Sequence, residues 1–401
     1  MTKKIQKLVT LRPEAAALAL VMVATAGWVV SAPGPLDRFG TLKGTDFSQF
    51  YVAARLVATR QGPSLYGPTF VQGLQEWVPG PPGLLYLPVY PPTMAWLLAP
   101  LGHLGYFSAL CVWTCVSALG YFACCSAVLA GHQGLKSDRT TSWLLALAFP
   151  AFWQLLLFGQ ISVLPLALVT VAWGAWRQER PFLAGLALGA LLLKPQMLTV
   201  AAAAVILLRS WRLLWGVIAG TLLELLLTTV VAGVDVMRAY GHVAKTILSM
   251  PDAFEPRPQQ IQSLRGFVWL VAGDGTLATV LTILLAVVVL LVAARAVRHS
   301  RASQMKFEIA VLAGTILNPH AYVYDLVLLV VPLGAICAWW FTRTTVYTYD
   351  RAVATLARTV FWLPLVAPIL GMLRLQLTAP AMLALLWALG LGAPARPIGD
   401  R

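Results

Sequence analysis

Charge is what this sequence has least of. Asp, Glu, Lys and Arg make up 11% of its 401 residues and apolar types 59%, whereas a soluble domain carries about 25% charged residues and about 45–50% apolar ones with glycine counted in. A fold surrounded by water could not hide that much apolar surface, so the composition excludes an ordinary soluble enzyme or binding module. Acidic residues are the scarcer sign, 15 against 29 basic ones, which leaves a net charge of +14. A basic balance can be the footprint of nucleic-acid binding. Here the basic residues stand in small groups between apolar blocks rather than along one face, the pattern of loops that face an anionic leaflet. Long Ser/Gly linkers, low-complexity tracts and fixed-period repeats are missing too, so residues 1–401 read as a single membrane domain. Cysteine is sparse: Cys111, Cys115, Cys124, Cys125 and Cys337 all lie in apolar runs and say little about redox compartment. Cys111 and Cys115 are one helical turn apart, but no His or further Cys stands at a zinc spacing, so they read as packing residues.

The apolar residues gather in blocks. Stretches near 14–33, 106–130, 141–158, 161–176, 211–233, 277–297, 320–341, 357–373 and 376–392 predict membrane helices. The first follows Lys3, Lys4, Lys7 and Arg12. Its length, and Pro33 directly after the cleavage-like Val30-Ser31-Ala32, predict an uncleaved helix with a cytoplasmic N-terminus. Residues 181–208 can be one long helix kinked at Lys194-Pro195, or two helices of about 13 residues that turn there, each reaching only about 20 Å. The same choice arises at 306–318, which ends in Asn318-Pro319-His320, and the count stays open around 90–105 and 264–272. With both segments taken as short spans there are twelve helices, and 19 of the 29 Lys and Arg residues fall on the cytoplasmic side. With 181–208 as a single crossing the split becomes 13 inside and 15 outside with Lys194 in the membrane, which the positive-inside rule disfavours. The expected fold is therefore an all-α polytopic membrane protein of about twelve helices with both termini cytoplasmic. A long first outer loop, 34–105, carries interfacial helices, and 234–265 forms a second large outer loop.

On that topology the polar interruptions share the outer face: the 34–105 loop with Asp46, the Gly159-Gln160 turn, Lys194-Pro195, the 234–265 loop, and Asn318-Pro319-His320. Asp46 precedes an amphipathic stretch to Arg60 suited to lying in the interface. It can be the N-cap of that helix or a general base that accepts a hydroxyl proton. Lys194 sits deep in an apolar segment, where a charge is costly unless it serves a function or snorkels to the surface, and Pro195 breaks the helix beside it. His320 shares a broken helix end with Asn318, where an imidazole could bind phosphate oxygens. Gln259, Gln260, Gln262, Ser263 and Arg265 form either a sugar and phosphate grip or a solvated loop. Glu224 reads as structural within its span. Asp325, about one turn below His320 and beside Tyr324, reads as support for a site rather than as a direct contact.

The order of these motifs resembles glycosyltransferase family 87. It is carried by Gly44-Thr45-Asp46-Phe47 with Phe50-Tyr51, Tyr66, Tyr90-Pro91-Pro92 with Pro100-Leu101, Gly159-Gln160, Ala184-Gly185 through Lys194-Pro195, Gln262-Ser263-Leu264-Arg265-Gly266 and Asn318-Pro319-His320. The resemblance runs from about 15 to 335, each motif short and their order specific; the last two helices carry no family signature. It implies a GT-C fold and a reaction like that of the polyprenol-phosphate-mannose-dependent α-(1→2)-mannosyltransferases, with inversion at the transferred hexose. It implies Asp46 as catalytic base and a donor phosphate held by Lys194, His320 and Arg265. The substrate contacts expected with them are Gln160, Gln262, Ser263, Asn318, Tyr51 and Tyr90, with Tyr324 and Asp325 behind. A lipid-phosphate donor accords with the lack of an Asp-x-Asp pair and of a Gly-x-x-x-x-Gly-Lys loop, so no cofactor or metal is expected. The partners expected are a polyprenyl-phosphate sugar, a lipid or glycan acceptor of the cell envelope and membrane lipid, at the outer face of the plasma membrane. A secondary transporter or flippase would instead show repeat-related halves and midplane binding groups, and an assembly subunit would need none of the outward-facing residues.

Overall fold

A computed structural model describes residues 3–81, 83–250, 258–300, 302–343 and 347–391, with side chains from residue 11 onward. Arg301, Arg396 and Arg401 of the basic set, and residues 251–257 of the second large loop, lie outside the described residues. The described chain is helical apart from turns and one isolated bridge between Leu36 and Leu42. Six helices are long and apolar enough to cross a membrane, beginning at Leu11, Tyr106, Trp211, Thr276, Val323 and Thr348, and a pair bent by 46°, Arg139–Ala148 with Pro150–Phe158, can make a seventh. Apolar side chains line the outside of these helices: Leu222, Leu226 and Val230 on one, Ile283, Leu284 and Leu291 on another, all largely exposed. Water would penalise such surfaces, whereas hydrocarbon does not. The protein is a polytopic membrane protein.

In chain order, α1 (Lys3–Val30) leads into a loop and the packed set α2 (Phe47–Ala58), α3 (Pro68–Trp77) and α4 (Pro92–Leu98). The amphipathic stretch after Asp46 was expected to lie in the interface. Instead eight of the twelve α2 residues are buried, because α3, α4 and the turn Ala99–His103 all pack against it. After α5 (Tyr106–Gly131) and the short α6 (Gln133–Lys136) come the bent pair α7 (Arg139–Ala148) and α8 (Pro150–Phe158). Pro150 breaks that pair: it has no N–H to donate and bars the residue before it from helical geometry. Then follow α9 (Val163–Arg177), α10 (Pro181–Gly189) with the turn Ala190–Leu193, α11 (Leu198–Leu208) and α12 (Trp211–Ala232).

The choice left open at 181–208 is resolved by glycine. A Cβ on Gly185 would meet the backbone of Leu213 and Val217, and one on Gly189 that of Val217 and Thr221. Reciprocally, Gly216 lies on Phe182 and Gly185, and Gly220 on Leu186. Contacts that advance together along both helices mean that α10 and α12 run parallel, at the backbone-to-backbone approach that paired small residues permit. Two helices joined through α11 can be parallel only if the chain reverses at Lys194-Pro195, so 181–208 is two short helices and not one kinked span.

The remaining elements are α13 (Val234–Ser249), α14 (Leu264–Ala272), α15 (Thr276–His299), α16 (Ser303–Leu317), α17 (Val330–Thr342) preceded by the 3-10 stretch Val323–Leu329, α18 (Thr348–Met372) and α19 (Thr378–Leu391). Much of the expected 234–265 loop is thus the helix α13, and the last long span starts at Thr348 rather than 357. At one end of the bundle Arg12 pairs with Asp138 at 3.1 Å, Arg358 pairs with Glu14, and Glu308 lies 3.2 Å from His132. At the other end Tyr106 donates to the carbonyl of Gly44 at 2.8 Å. Helix α5, at 26 residues, separates these ends by about 39 Å.

Candidate active site

The loop 44–46 is zipped onto the end of α8. A helix C-terminus leaves carbonyls without intrahelical donors. Here Gly44 N–H donates to Leu157 O at 3.2 Å and Asp46 N–H to Phe158 O at 3.1 Å. Gly159 ends α8 in the left-handed region, φ 65°, and a Cβ there would strike Phe47, so glycine is required for both the turn and the close approach. The cap reading of Asp46 does not hold. The residue occupies the N-cap position of α2, but its carboxylate makes no capping bond.

That carboxylate points instead into a ring of neutral donors. Tyr86 Oη donates to Oδ1 at 2.9 Å and Gln160 Nε2 to Oδ2 at 3.1 Å, and the Tyr324 hydroxyl faces the same carboxylate. Gln160 is itself fixed in this orientation, since its Oε1 accepts from Ile161 N–H at 2.9 Å and its carbonyl from Trp113 Nε1 at 3.3 Å. Tyr90 lies beside Gln160, and Tyr66 fixes Tyr90 by donating to its carbonyl at 2.7 Å. Burial raises the Asp46 pKa above the ordinary 3.8, opposed by the bonds from Tyr86 and Gln160, by the Tyr324 hydroxyl and then by the charge of Lys194. Burial, followed by the nearby carboxylates Asp325 and Asp46, pushes the Tyr90 hydroxyl well above 10, so it stays a neutral donor.

Behind this ring lies a buried ion pair. Lys194, at the break between α10 and α11, is 0% exposed. Its ammonium lies 2.5 Å from Asp325 Oδ1 and 3.0 Å from Ser162 Oγ, and Ser162 in turn donates to Asp325 at 2.5 Å. Asp325 Oδ2 accepts from Tyr322 N–H at 3.1 Å, which closes the first turn of 323–329. Of the three groups expected for a donor phosphate, Lys194 therefore has its charge already matched. Arg265 and His320 are partly exposed, and Arg265 reaches across to Pro319 O at 3.5 Å. His320 packs on Tyr322 at 4.8 Å, and Tyr322 stacks on Tyr324 at 5.5 Å with planes 6° apart, so an aromatic row leads from the imidazole to the Asp46 carboxylate.

The other expected contacts are placed differently. Tyr51 is buried and donates to Leu104 O at 2.9 Å, so it braces α2 and stands apart from the carboxylate. Gln262 and Ser263 are buried as well. The 261–263 strip is pinned by Gln376, which donates to Ile261 O and Ser263 O at 3.4 and 3.1 Å, and by Thr378, which donates to Gln262 Oε1 at 2.7 Å. Asn318 is buried, accepting from His320 N–H at 2.9 Å and donating to Met197 Sδ at 3.3 Å. Glu224 lies elsewhere, taking bonds from Thr93 and Thr228. Sequence reasoning missed Tyr86, Ser162, Gln376 and Thr378. Only Ser162 carried a signal, two residues after Gln160 in an otherwise apolar turn.

All five polar interruptions thus meet at one end of the bundle. The model of glycosyltransferase family 87 matches residues 89–332, more than half of the chain. The chain belongs to glycosyltransferase family 87. No curated protein and no solved structure matches it. In this glycosyltransferase the matched segment supplies Tyr90, Gln160, Ser162, Lys194, Arg265, His320 and Asp325. Asp46 and Tyr86 come from the preceding loop, and Gln376 and Thr378 from beyond the match.

Proposed function

We propose that this glycosyltransferase moves a hexose, mannose by family resemblance, from a polyprenyl phosphate to a hydroxyl of a lipid-linked or envelope glycan, with inversion. The observation that carries the reading is the Asp46 carboxylate: partly exposed, set on a loop outside the long spans, held by the neutral donors Tyr86 and Gln160 and raised in pKa by burial. A base must be ionised to act yet hold a proton well, and burial strengthens its hold on the proton. The acceptor oxygen attacks the anomeric carbon as its proton passes to Asp46. The bond from that carbon to the phosphate oxygen breaks on the opposite side, and polyprenyl phosphate leaves with the electron pair. Arg265 and His320, joined to this end of the bundle by the contact of Arg265 with Pro319 and by the aromatic row, are the donors assigned to the growing phosphate charge. The reversal at Lys194-Pro195 favours the twelve-helix, GT-C-type arrangement. It supports an active site at the outer face of the plasma membrane, with the ion-paired end in the cytoplasm.

The test is transfer from a polyprenyl-phosphate mannose by purified protein in detergent or liposomes. Asp46→Asn keeps the size of the side chain but removes the proton acceptor, and should lower the rate about 10²- to 10⁴-fold with donor binding retained. Glu76→Gln, in the exposed part of α3, should leave transfer unchanged. Transfer by Asp46→Asn at a near-normal rate would overturn the assignment.

A further inference from the structure

Lys194 stood out from the sequence as a cation for the donor phosphate, yet every feature of its setting directs it inward. It is completely buried, its ammonium bonds Asp325 and Ser162, and its Nζ lies 5.2 Å from the centre of the Tyr324 ring. Tyr324 faces the Asp46 carboxylate and packs on Phe158 at 5.9 Å, whose carbonyl accepts from Asp46 N–H, while Ser162 stands two residues from Gln160, which donates to that carboxylate. Asp325 anchors the same turn through its second oxygen, which accepts from Tyr322 N–H. One ion pair thus joins the break after α10, the turn before α9 and the stretch leading into α17, and its outer surface is the tyrosine that faces the base.

We infer that Lys194, with Asp325 and Ser162, is a positioning unit for the Asp46 carboxylate and not a ligand of the donor phosphate. It holds Tyr324 in place beside Asp46, with the ammonium 5.2 Å from the centre of that ring, and fixes Ser162 in the turn whose Gln160 donates to the carboxylate. A buried pair of this kind costs desolvation that its own attraction hardly repays, so its use lies in fixing geometry. The phosphodiester anion of the donor would have to displace Asp325 from a site closed to solvent.

The inference rests on the base reading of Asp46. The groups that face that carboxylate are Tyr86 and Gln160 by hydrogen bond, Tyr324 beside them, and Lys194 by charge with Asp325 paired to it, and Tyr90 feels its charge in return. Among the described residues Lys194 is the one formal cation that acts on it. Removing that cation makes Asp46 harder to ionise. Transfer is available above the Asp46 pKa and lost as pH falls through it, so the acidic limb of the profile must move to higher pH.

The deciding experiment measures kcat and donor KM against pH for Lys194→Gln and for the double variant Lys194→Gln/Asp325→Asn, which leaves no unpaired buried charge and guards against misfolding. The double variant should show donor KM within about twofold of the parent. In Lys194→Gln, where Asp325 keeps its charge, the acidic limb should shift upward and the rate should recover at alkaline pH, where Asp46 is ionised regardless; in the double variant, which removes both charges of the pair, the limb should return toward the parent's. A tenfold rise in donor KM in the double variant would make Lys194 a phosphate ligand and overturn the inference; so would an unmoved limb with unmoved KM in Lys194→Gln. Failure of the base reading is seen separately, as retained transfer by Asp46→Asn.

Discussion

Tyr86 shows how finely the proton affinity of Asp46 is set. Its hydroxyl donates to the carboxylate at 2.9 Å and meets Thr45 Oγ1 at 3.1 Å, so it stabilises the ionised form that a base needs. Tyr86→Phe removes that bond and nothing apolar. Its acidic limb should move to higher pH, with transfer near normal once the medium is alkaline enough to ionise Asp46. An acidic limb that coincides with the parent's would show that the tyrosine does not tune the base. At this scale the sequence was readable only in part. Lys194 announced itself as a charge where charges are costly, Asp46 as an acid in the first outer loop ahead of an amphipathic stretch, and Gln160 as an amide in an apolar turn. Tyr86 gave no such signal, because tyrosine is an ordinary residue at a membrane boundary. Nor could spacing reveal that Lys194 and Asp325, 131 positions apart, neutralise one another.

Among the elements, the tightest junction is α10 against α12, where Gly185 and Gly189 face Gly216 and Gly220. A side chain at Gly216 or Gly220 would run into backbone, which cannot yield as a flexible side chain can. Gly216→Val and Gly220→Val should each cost about 1–3 kcal/mol by overpacking, visible as a lower unfolding midpoint in detergent. Gly241→Ala on α13, where a Cβ meets nothing within 4 Å, is the control and should be neutral or slightly stabilising. Equal midpoints for all three would mean the helices are not apposed as described. The Gly-x-x-x-Gly pattern stands in both α10 and α12, but only pairing it across the two helices shows that the chain turns at Lys194-Pro195. The burial of α2 was likewise hidden, since an amphipathic stretch reads the same against a membrane surface as under three neighbouring elements.

For the whole molecule, the distribution of charge along the chain already implies the reversal, because Arg177, Arg180, Arg209 and Arg212 bracket 181–208 on one side only if the chain turns within it. The contacts joining Arg12 to Asp138 and Arg358 to Glu14 bind several of the basic loops into one end. In a background free of the five cysteines, a membrane-impermeant thiol reagent added outside intact cells should label Gln72→Cys, exposed on α3. It should spare the exposed Gln178→Cys and Ser303→Cys until the membrane is opened. Labelling of Ser303→Cys in sealed cells would reverse the proposed orientation.

The buried pair also governs the order in which the protein can be made. Lys194 is synthesised 131 residues before Asp325, an interval of roughly 7–26 s at ordinary elongation rates of about 5–20 residues per second. Through that interval a lysine lodged in hydrocarbon would have no counter-ion. Because α10 and α11 meet at Lys194, their joint can wait at the aqueous surface while the rest of the chain inserts. The ammonium would then shed its water as the 323–329 stretch docks, which leaves closure of this end of the bundle to the late arrival of Asp325.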